Sequence, residues 1–450
     1  MRKTLILLIL VAALGAYVYF YEIKGEAERK KEKESAEQLF QFERDSVRTV
    51  AIRSPQGRFH FLKDVDGWQI EQPVRTRADE SPLNSLLSTL QNAKKVNSFA
   101  IARGSAAQYG LDEHATLIHL ELNDGQRDSI KIGDQTSIGG NVYVSKGDTM
   151  VYLVAQSIKT NAEKSLFDWR DKKPLHFTKA NVREMKLSNR HGDFIFVKEG
   201  NDWKITQPVE TSAERSAVEA VLNKLDFSRI KSVEAEEARN LARFGLTRPA
   251  YHVDLFLGPE KAKSSVSFSE VRNNVSYGKD AARPIIFTVD STFLEPFGKD
   301  LFAFRDKKIV DFETAKANRI ILSHENQVMI LVKDTLNNWT TASGEKAKNW
   351  KVSSLLSSIN NLKAEQFVEE NPRYFMPYGL VNPEHRIEVY ADDERIAELN
   401  FGYSKKDMVY VQNPRRKPVV TIKENKLKEL FPDRSELLEE TKATGENVTE

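Results

Sequence analysis

The sequence is organised around an internal period slightly shorter than a third of its 450 residues. A tryptophan recurs at this interval, at Trp68, Trp203 and Trp339. An aromatic residue followed by Gly-Leu recurs at nearly the same interval, at Tyr109, Phe244 and Tyr378. Self-similarity at a fixed period indicates repeated structural units, and a unit of this length can bury its own core. The sequence therefore predicts three tandem domains.

Each copy begins with a pattern typical of a β-hairpin. In the first copy, Val50 and Ile52 alternate with polar residues, and Phe59 and Phe61 do the same after the turn at Gln56-Gly57. Period-two alternation places apolar side chains on one face of a strand. A third strand follows at residues 67–74, and the proline inside it should end the ladder because it has no N–H to donate.

A helix and four more strands complete the predicted unit. Leucines at spacings of three and four residues predict a helix over residues 81–93, with a counterpart at 213–225. After Gly-Leu the period returns to two, which predicts four short strands over residues 117–153. Each copy is thus expected to be α+β, a mainly antiparallel sheet with a covering helix, with copies at residues 46–178, 179–313 and 314–436 and a flexible tail at 437–450.

The N-terminus predicts a transmembrane anchor over residues 4–22. Leu5 to Tyr21 is an uninterrupted apolar run, which as a helix would be about 26 Å long, close to a hydrocarbon core of about 30 Å. Tyrosines and a phenylalanine cluster at its far end, where they suit the lipid–water boundary. A cleaved signal peptide is the alternative. Because the apolar run continues past every candidate cleavage site, a retained single span is favoured.

Residues 23–45 follow the apolar run and are rich in charged helix formers, which predicts a solvated helical stalk. The positive-inside count does not settle the orientation, since basic residues occur on both sides of the span. Arg2 and Lys3 before the apolar run resemble the start of an export signal. We therefore expect the body to be extracytoplasmic.

A search for reactive motifs predicts no catalytic residue, cofactor site or metal site. The chain has no cysteine, and it contains no Gly-rich phosphate loop ending in Lys-Ser or Lys-Thr, no Gly-x-Ser-x-Gly and no His-Glu-x-x-His. The glycines of residues 138–141 are interpreted as a hairpin turn. His114 and His119 are five residues apart near a strand and are expected on opposite faces, which disfavours shared coordination.

The repeated aromatics could form either cores or a binding surface. Tryptophans at the start of strands opposite a helix are typical of core positions, although they could also stack on sugars or peptides. The candidates are Trp68, Trp203, Trp339, Tyr109, Phe244 and Tyr378. The copies close with matching tails at residues 167–173 and 302–308, of which the third copy retains only Leu430-Phe431. The arginines of these tails, Arg170 and Arg305, could contact acidic partners, but such charges are more often solvated or paired locally, here with Asp171 and Asp306. A net charge of +2 gives no general drive toward nucleic acid.

Several segments together resemble a known bacterial family. They are Gly-Trp-x-Ile-x-Gln-Pro-Val, the helix after it, Tyr-Gly-Leu, Ile-Lys-Ile-Gly-Asp at 130–134 and Asn-Val-Tyr-Val at 141–144. The family is the domain of unknown function numbered four-three-four-zero, and the resemblance covers residues 45–435. The third copy departs from it, with Ser343-Gly344 where Gln-Pro is expected. The resemblance implies one N-terminal span in the bacterial inner (cytoplasmic) membrane and a role beside gliding-motility-type ABC transport components.

These observations predict a non-enzymatic, membrane-anchored accessory or scaffold subunit of an ABC-type transport or cell-envelope complex. The expected partners are the membrane itself and ABC permease and ATPase subunits, with no nucleic acid. A structural or carbohydrate-binding envelope protein is the alternative. An enzyme would need a site assembled across copies from residues that are distant in sequence.

Overall fold

A computed structural model describes residues 37–147 and 149–440, together with the isolated positions 15, 17 and 19. The predicted transmembrane anchor and most of the predicted stalk therefore lie outside the described residues. Among the residues that are described, no helix is both long enough and apolar enough to cross a bilayer. The structure bears out three α+β copies, each built on an antiparallel sheet.

The first copy contains a nine-stranded sheet in the order β4-β3-β2-β1-β6-β7-β8-β9-β5. Its strands are β1 (Val47–Ser54), β2 (Gly57–Asp64), β3 (Gly67–Gln72), β4 (Thr76–Arg77), β5 (Asn97–Ala100), β6 (Thr116–Leu122), β7 (Arg127–Gln135), β8 (Asn141–Ser145) and β9 (Met150–Ala155). Strand β3 ends at the residue before Pro73, as predicted. The β1–β2 hairpin pairs Val50 with Phe61 and Ile52 with Phe59, so these apolar side chains share one face.

The second copy repeats this order as β13-β12-β11-β10-β15-β16-β17-β18-β14. Its strands are β10 (Val182–Asn189), β11 (Gly192–Glu199), β12 (Asp202–Gln207), β13 (Thr211–Ser212), β14 (Ser232–Ala235), β15 (Tyr251–Leu257), β16 (Ala262–Phe268), β17 (Val275–Asp280) and β18 (Ile286–Asp290). The same connectivity in both copies follows from the same spacing of strand and turn residues.

The third copy has eight strands in the order β21-β20-β19-β23-β24-β25-β26-β22. They are β19 (Arg319–His324), β20 (Gln327–Lys333), β21 (Trp339–Thr341), β22 (Gln366–Glu369), β23 (His385–Ala391), β24 (Glu394–Lys405), β25 (Met408–Gln412) and β26 (Val419–Lys423). The peptide bonds before Pro73 and Pro208 are cis. The third copy has Ser343-Gly344 at this place, and its strand β21 is only three residues long.

One long helix accompanies each sheet: Glu80–Gln91, Arg215–Phe227 and Asn349–Asn360. Each presents a stripe of buried aliphatic residues; in the first helix these are Leu83, Leu86, Leu87 and Leu90. The short α-helices are Ser157–Ala162, Leu166–Trp169, Leu301–Phe304, Asn425–Leu430 and Arg434–Leu437. The 3-10 turns are Arg44–Ser46, Ser105–Tyr109, Lys179–Asn181, Leu241–Phe244, Ser291–Phe293, Glu295–Gly298, Thr314–Lys316 and Met376–Tyr378.

By its contacts the chain divides into two compact units. The first comprises the described residues up to Pro174 with Arg229–Glu236 and Ile285–Thr288. The second comprises Leu175–Ser228, Glu237–Pro284 and Val289 onward. A short segment of the second copy thus belongs to the same unit as the first copy, and the third copy shares a unit with most of the second.

Residues 37–45, assigned from sequence to the end of the stalk, are instead part of the folded body. Leu39 and Phe40 are buried in the core of the first copy, Phe40 with 1% of its surface exposed. Lys95 donates its backbone N–H to the carbonyl of Glu37 at 2.8 Å. The charged composition of this region predicted a solvated stalk, but Leu39 and Phe40, which anchor the segment in the core, follow directly after the charged residues.

Candidate functional site

The repeated tryptophans are core residues. Trp68, Trp203 and Trp339 are 2–3% exposed. A lysine paired with each tryptophan on the neighbouring strand lies over its ring, with Nζ 5.9, 5.9 and 6.0 Å from the ring centroid, at Lys63, Lys198 and Lys333. The amphipathic lysine stem covers the ring while its charged end stays in water. The tryptophans therefore offer no surface to a sugar or peptide.

The aromatic residues of the Gly-Leu turns are half-buried. Each ends a 3-10 turn, and the following glycine has a positive φ of 68–72° at Gly110, Gly245 and Gly379, as expected for the residue that closes a helical turn. The leucine after it is buried in every copy. Each aromatic ring lies against a tyrosine 4.9–5.2 Å away, in the pairs Tyr109–Tyr143, Phe244–Tyr277 and Tyr378–Tyr410.

A glycine explains part of the Ile-Lys-Ile-Gly-Asp motif. A Cβ on Gly133 would lie 2.2 Å from the backbone oxygen of Tyr109, and a Cβ on Gly402 would lie 1.9 Å from that of Tyr378. Only glycine allows strand and turn to approach this closely. The Tyr-Gly-Leu and Ile-Lys-Ile-Gly-Asp motifs of the resemblance therefore pack against each other at one turn. The residues that recur most regularly have structural roles.

The tail arginines are buried, which overturns the prediction that they are solvated or paired with Asp171 and Asp306. Arg170 is 2% exposed and Arg305 is 3% exposed. Within the first unit, Arg170 Nη2 donates to both carboxylate oxygens of Glu236, at 2.9 and 3.2 Å. Within the second unit, Arg305 Nη1 donates to one oxygen of Glu370 and Nη2 to the other at 3.2 Å. Each arginine ends one copy and each glutamate lies in the next, so the pair joins successive copies.

The backbone places the equivalent positions at the two ends of the array. Isolated bridges join Ala78 to Arg170, Ala213 to Arg305 and Ala347 to Leu438, so Leu438 occupies the arginine position of the third copy. The glutamates directly follow β14 and β22, and the residue that directly follows β5 is Ile101. The arginine is thus present where another copy follows, and the glutamate where another copy precedes.

This alignment also corrects the end of the third copy. The sequence prediction matched Leu430-Phe431 to the tails of copies one and two. The helix Arg434–Leu437 and the residue after it instead occupy that place, since Lys348 donates its N–H to the carbonyl of Leu437 just as Asp79 does to that of Trp169. Leu430 ends the preceding helix, the counterpart of Ser157–Ala162.

An open cleft of about 700 Å³ surrounds the second arginine–glutamate pair. Its floor includes Arg305, Phe367 and Glu370, and its walls come from the loop after β12, the tail of the second copy and the β25–β26 loop. The carbon at the centre of the Arg305 guanidinium lies 3.3 Å from the centroid of the Phe367 ring, a cation–π contact. Arg305 Nε has no hydrogen-bond partner among the described residues.

The edge of the cleft carries an exposed ion pair. Lys204 Nζ is 2.7 Å from Glu210 Oε1. The hydrogen bond from Lys204 lowers the pKa of Glu210, with a smaller contribution from the charge of Lys417, and Glu210 in turn raises the pKa of Lys204. Both groups are at the surface, so each is fully ionised at neutral pH without holding the fold together.

Within the part of the chain that the structure describes, the histidines form no metal site of three or more ligands. Over residues 37–147 and 149–440 no three histidine, aspartate or glutamate side chains converge as metal ligands would. His119 lies in β6, whereas His114 precedes the strand and is exposed. In the third copy the Nδ1 atoms of His324 and His385 are 2.9 Å apart, and the His324 ring stacks on Phe431.

Three α+β copies joined by buried arginine–glutamate pairs define a tandem-repeat protein whose recurrent residues lie in cores, turns and junctions. The chain belongs to the family described as Domain of unknown function (DUF4340), whose sequence model matches residues 68–202, 203–351 and 339–444. Each match begins at one of the repeated tryptophans. No protein of curated function matches the chain.

Proposed function

We propose that this chain is a membrane-anchored accessory or scaffold subunit, without catalytic activity of its own, of an ABC-type transport or cell-envelope complex. The observation that carries the proposal is the role of the recurrent residues. Tryptophans, Gly-Leu turns and tail arginines recur at one period and serve packing and junctions, which is how a repeat array maintains an extended binding surface.

The tether in this proposal is the apolar run from Leu5 to Tyr21. An extracytoplasmic body is supported by the basic start of the chain, and a transport complex by the family resemblance of the sequence. The alternative of a structural or carbohydrate-binding envelope protein relied on exposed aromatic residues. Because the repeated tryptophans are buried and the aromatics of the Gly-Leu turns pack against tyrosines, no observation favours that function, and a single proposal remains.

Co-purification tests the proposal directly. The full-length chain, carrying a C-terminal affinity tag and expressed from its own locus, should be extracted in mild detergent and its partners identified by mass spectrometry. We expect an ABC ATPase and a multi-span permease in comparable amounts to the bait. A matched control is Leu10→Arg, which places a charge inside the apolar run and should abolish membrane retention.

The outcome that contradicts the proposal is recovery of the intact, membrane-bound chain with neither an ATPase nor a permease. Protease treatment of intact cells and of spheroplasts tests the topology separately. Digestion of the body in spheroplasts alone is expected, and protection in both preparations would place the body in the cytoplasm.

A further inference from the structure

The cleft at the junction of copies two and three has an unbalanced charge. Its lining contains three acidic side chains and six basic ones, which are Lys204, Arg305, Lys307, Lys308, Arg416 and Lys417. An excess of three positive charges in one concave surface raises the local concentration of anions. The excess is local, because the whole chain carries only +2.

Each acidic side chain of the lining already has a partner. Glu370 accepts from Arg305, Glu210 is paired with Lys204 at 2.7 Å, and Asp306 accepts the backbone N–H of Lys308 at 2.9 Å. The acids of the lining therefore neutralise Lys204 and Arg305, and Asp311, just outside the lining, pairs with Lys308 at 2.9 Å. Lys307, Arg416 and Lys417 are the cations that no carboxylate of the lining neutralises. Arg416 and Lys417 are both exposed at the mouth of the cleft, where their charges can meet a ligand.

The cleft is also partly apolar and is held in shape. Val209, Ile309, Phe367 and Val420 contribute to its lining, and Arg305 is fixed between the Glu370 carboxylate and the Phe367 ring. A volume of about 700 Å³ falls within the range of preformed ligand sites. A bare inorganic anion would satisfy the cations and leave the apolar wall uncovered.

We propose that this cleft binds an acidic peptide segment, one in which carboxylates alternate with apolar side chains. The carboxylates would meet Arg416, Lys417 and Lys307 at the mouth, and the apolar side chains would cover Val209 and Phe367. A segment that carries both carboxylates and apolar side chains complements a lining that contains both cationic and apolar residues. The inference goes beyond the scaffold role, because it assigns a ligand chemistry to one place and holds whichever complex the chain joins.

Fluorescence anisotropy tests the inference on the full-length protein in detergent. The probe is a fluorescein-labelled hexapeptide that alternates glutamate with leucine. The cleft variant is Arg416→Glu with Lys417→Glu. The matched control is Lys405→Glu with Lys428→Glu, which makes the same charge change at two exposed lysines of the same copy outside the cleft. We expect the cleft variant to weaken binding about tenfold or more and the control variant by less than about twofold.

Two competitors separate peptide chemistry from simple charge. A hexapeptide alternating glutamine with leucine should not displace the probe, and inorganic tripolyphosphate should displace it only at much higher concentration. The inference is overturned if the probe shows no saturable binding up to about 1 mM, if both double variants weaken it equally, or if tripolyphosphate competes as well as the unlabelled peptide.

Discussion

The two internal junctions of the array differ from its two ends in one pair of residues. At the junctions a buried arginine meets a glutamate from the next copy, as Arg170–Glu236 and Arg305–Glu370. At the ends the corresponding residues are Ile101 and Leu438. An unpaired buried charge is costly, whereas an aliphatic residue in its place is not. Variation between the copies therefore follows the presence of a neighbour.

At the N-terminal end of the array, residues 37–45 make the contacts with the first copy that the tail of a preceding copy makes elsewhere. Glu37 accepts a backbone hydrogen bond from Lys95 as Lys172 does from Ile230 and as Lys307 does from Ala364, each at 2.8 Å. Leu39 and Phe40 then enter the core of the first copy as Ile309 and Val310 enter that of the third. The segment thus covers the end of the first copy as a cap does in repeat proteins.

Removing the cap should have the largest effect. Phe40→Ala deletes a fully buried ring and should cost about 4 kcal/mol of local stability. Hydrogen exchange measured by mass spectrometry should show faster opening of β1 and of the helix Glu80–Gln91, with the third copy unchanged. Val65→Ala, at a fully exposed turn position, is the control, and equal exchange in both variants would show that the segment is not a cap.

Breaking one arginine–glutamate pair should cause the second-largest loss of stability. Glu370→Gln keeps the shape of the side chain but leaves the buried Arg305 charge uncompensated, and should cost about 3 kcal/mol. Glu236→Gln should cost less, because the Glu236 side chain is 46% exposed against 35% for Glu370. Hydrogen exchange of β22 and β14 reports the two junctions separately. A larger loss of stability from Glu236→Gln than from Glu370→Gln would contradict this ranking of the two junctions.

The cation–π contact distinguishes the second junction from the first. Phe367 lies over Arg305, whereas the corresponding residue of β14 is Val233. Phe367→Val makes the second junction resemble the first and should cost about 1 kcal/mol. The measurement is again exchange of β22. A loss as great as that of Glu370→Gln would mean that the ring, rather than the carboxylate, compensates the guanidinium.

The smallest effect concerns pH and the third copy alone. Burial lowers the pKa of His385, and the nearby His324 lowers it further, while Glu384 and Glu325 oppose these effects. A lowered histidine pKa means that the neutral form is favoured by folding. The stability that the neutral His385 ring contributes is therefore fully present above the unfolded-state pKa of about 6.5. It is lost as the pH falls from there through the lower folded-state pKa.

Exchange of β19 and β23 at pH 7.5 and 5.5, corrected for intrinsic rates, should show the third copy loosening at the lower pH. The His385→Gln variant should lose this dependence, and His191→Gln, at an exposed turn of the second copy, should retain it. Equal pH dependence in all three copies would exclude the histidine pair as its cause.

Local patterning predicted most of the sheet. The predicted strands after Gly-Leu correspond to β6 to β9, and the family was identified from the same motifs. The short strands β5, β14 and β22 were missed because their four residues are mostly exposed or half-buried and carry no alternating pattern. They pair with strands that are distant in the sequence, which no local signal encodes.

The candidate sites were less predictable than the fold. The aromatics were recognised, yet their burial depends on packing that the sequence leaves open. The junction arginines were misread because the glutamates that pair with them are 65 or 66 residues away. A signal was present all the same: apolar residues recur at the interval of the tryptophans at Phe40, Leu175 and Val310, and the glutamates occur only in the copies with a predecessor.

A double-mutant cycle across the second junction tests most directly whether the arginine–glutamate pair is the device that joins the copies. The variants are Arg305→Leu, Glu370→Ile and both together, which place the residues of the two ends at an internal junction. Each single change leaves a charged partner uncompensated. The double variant should therefore lose about 2 kcal/mol less stability than the sum of the two single losses, measured by hydrogen exchange of β22. Strictly additive effects would contradict a coupled junction.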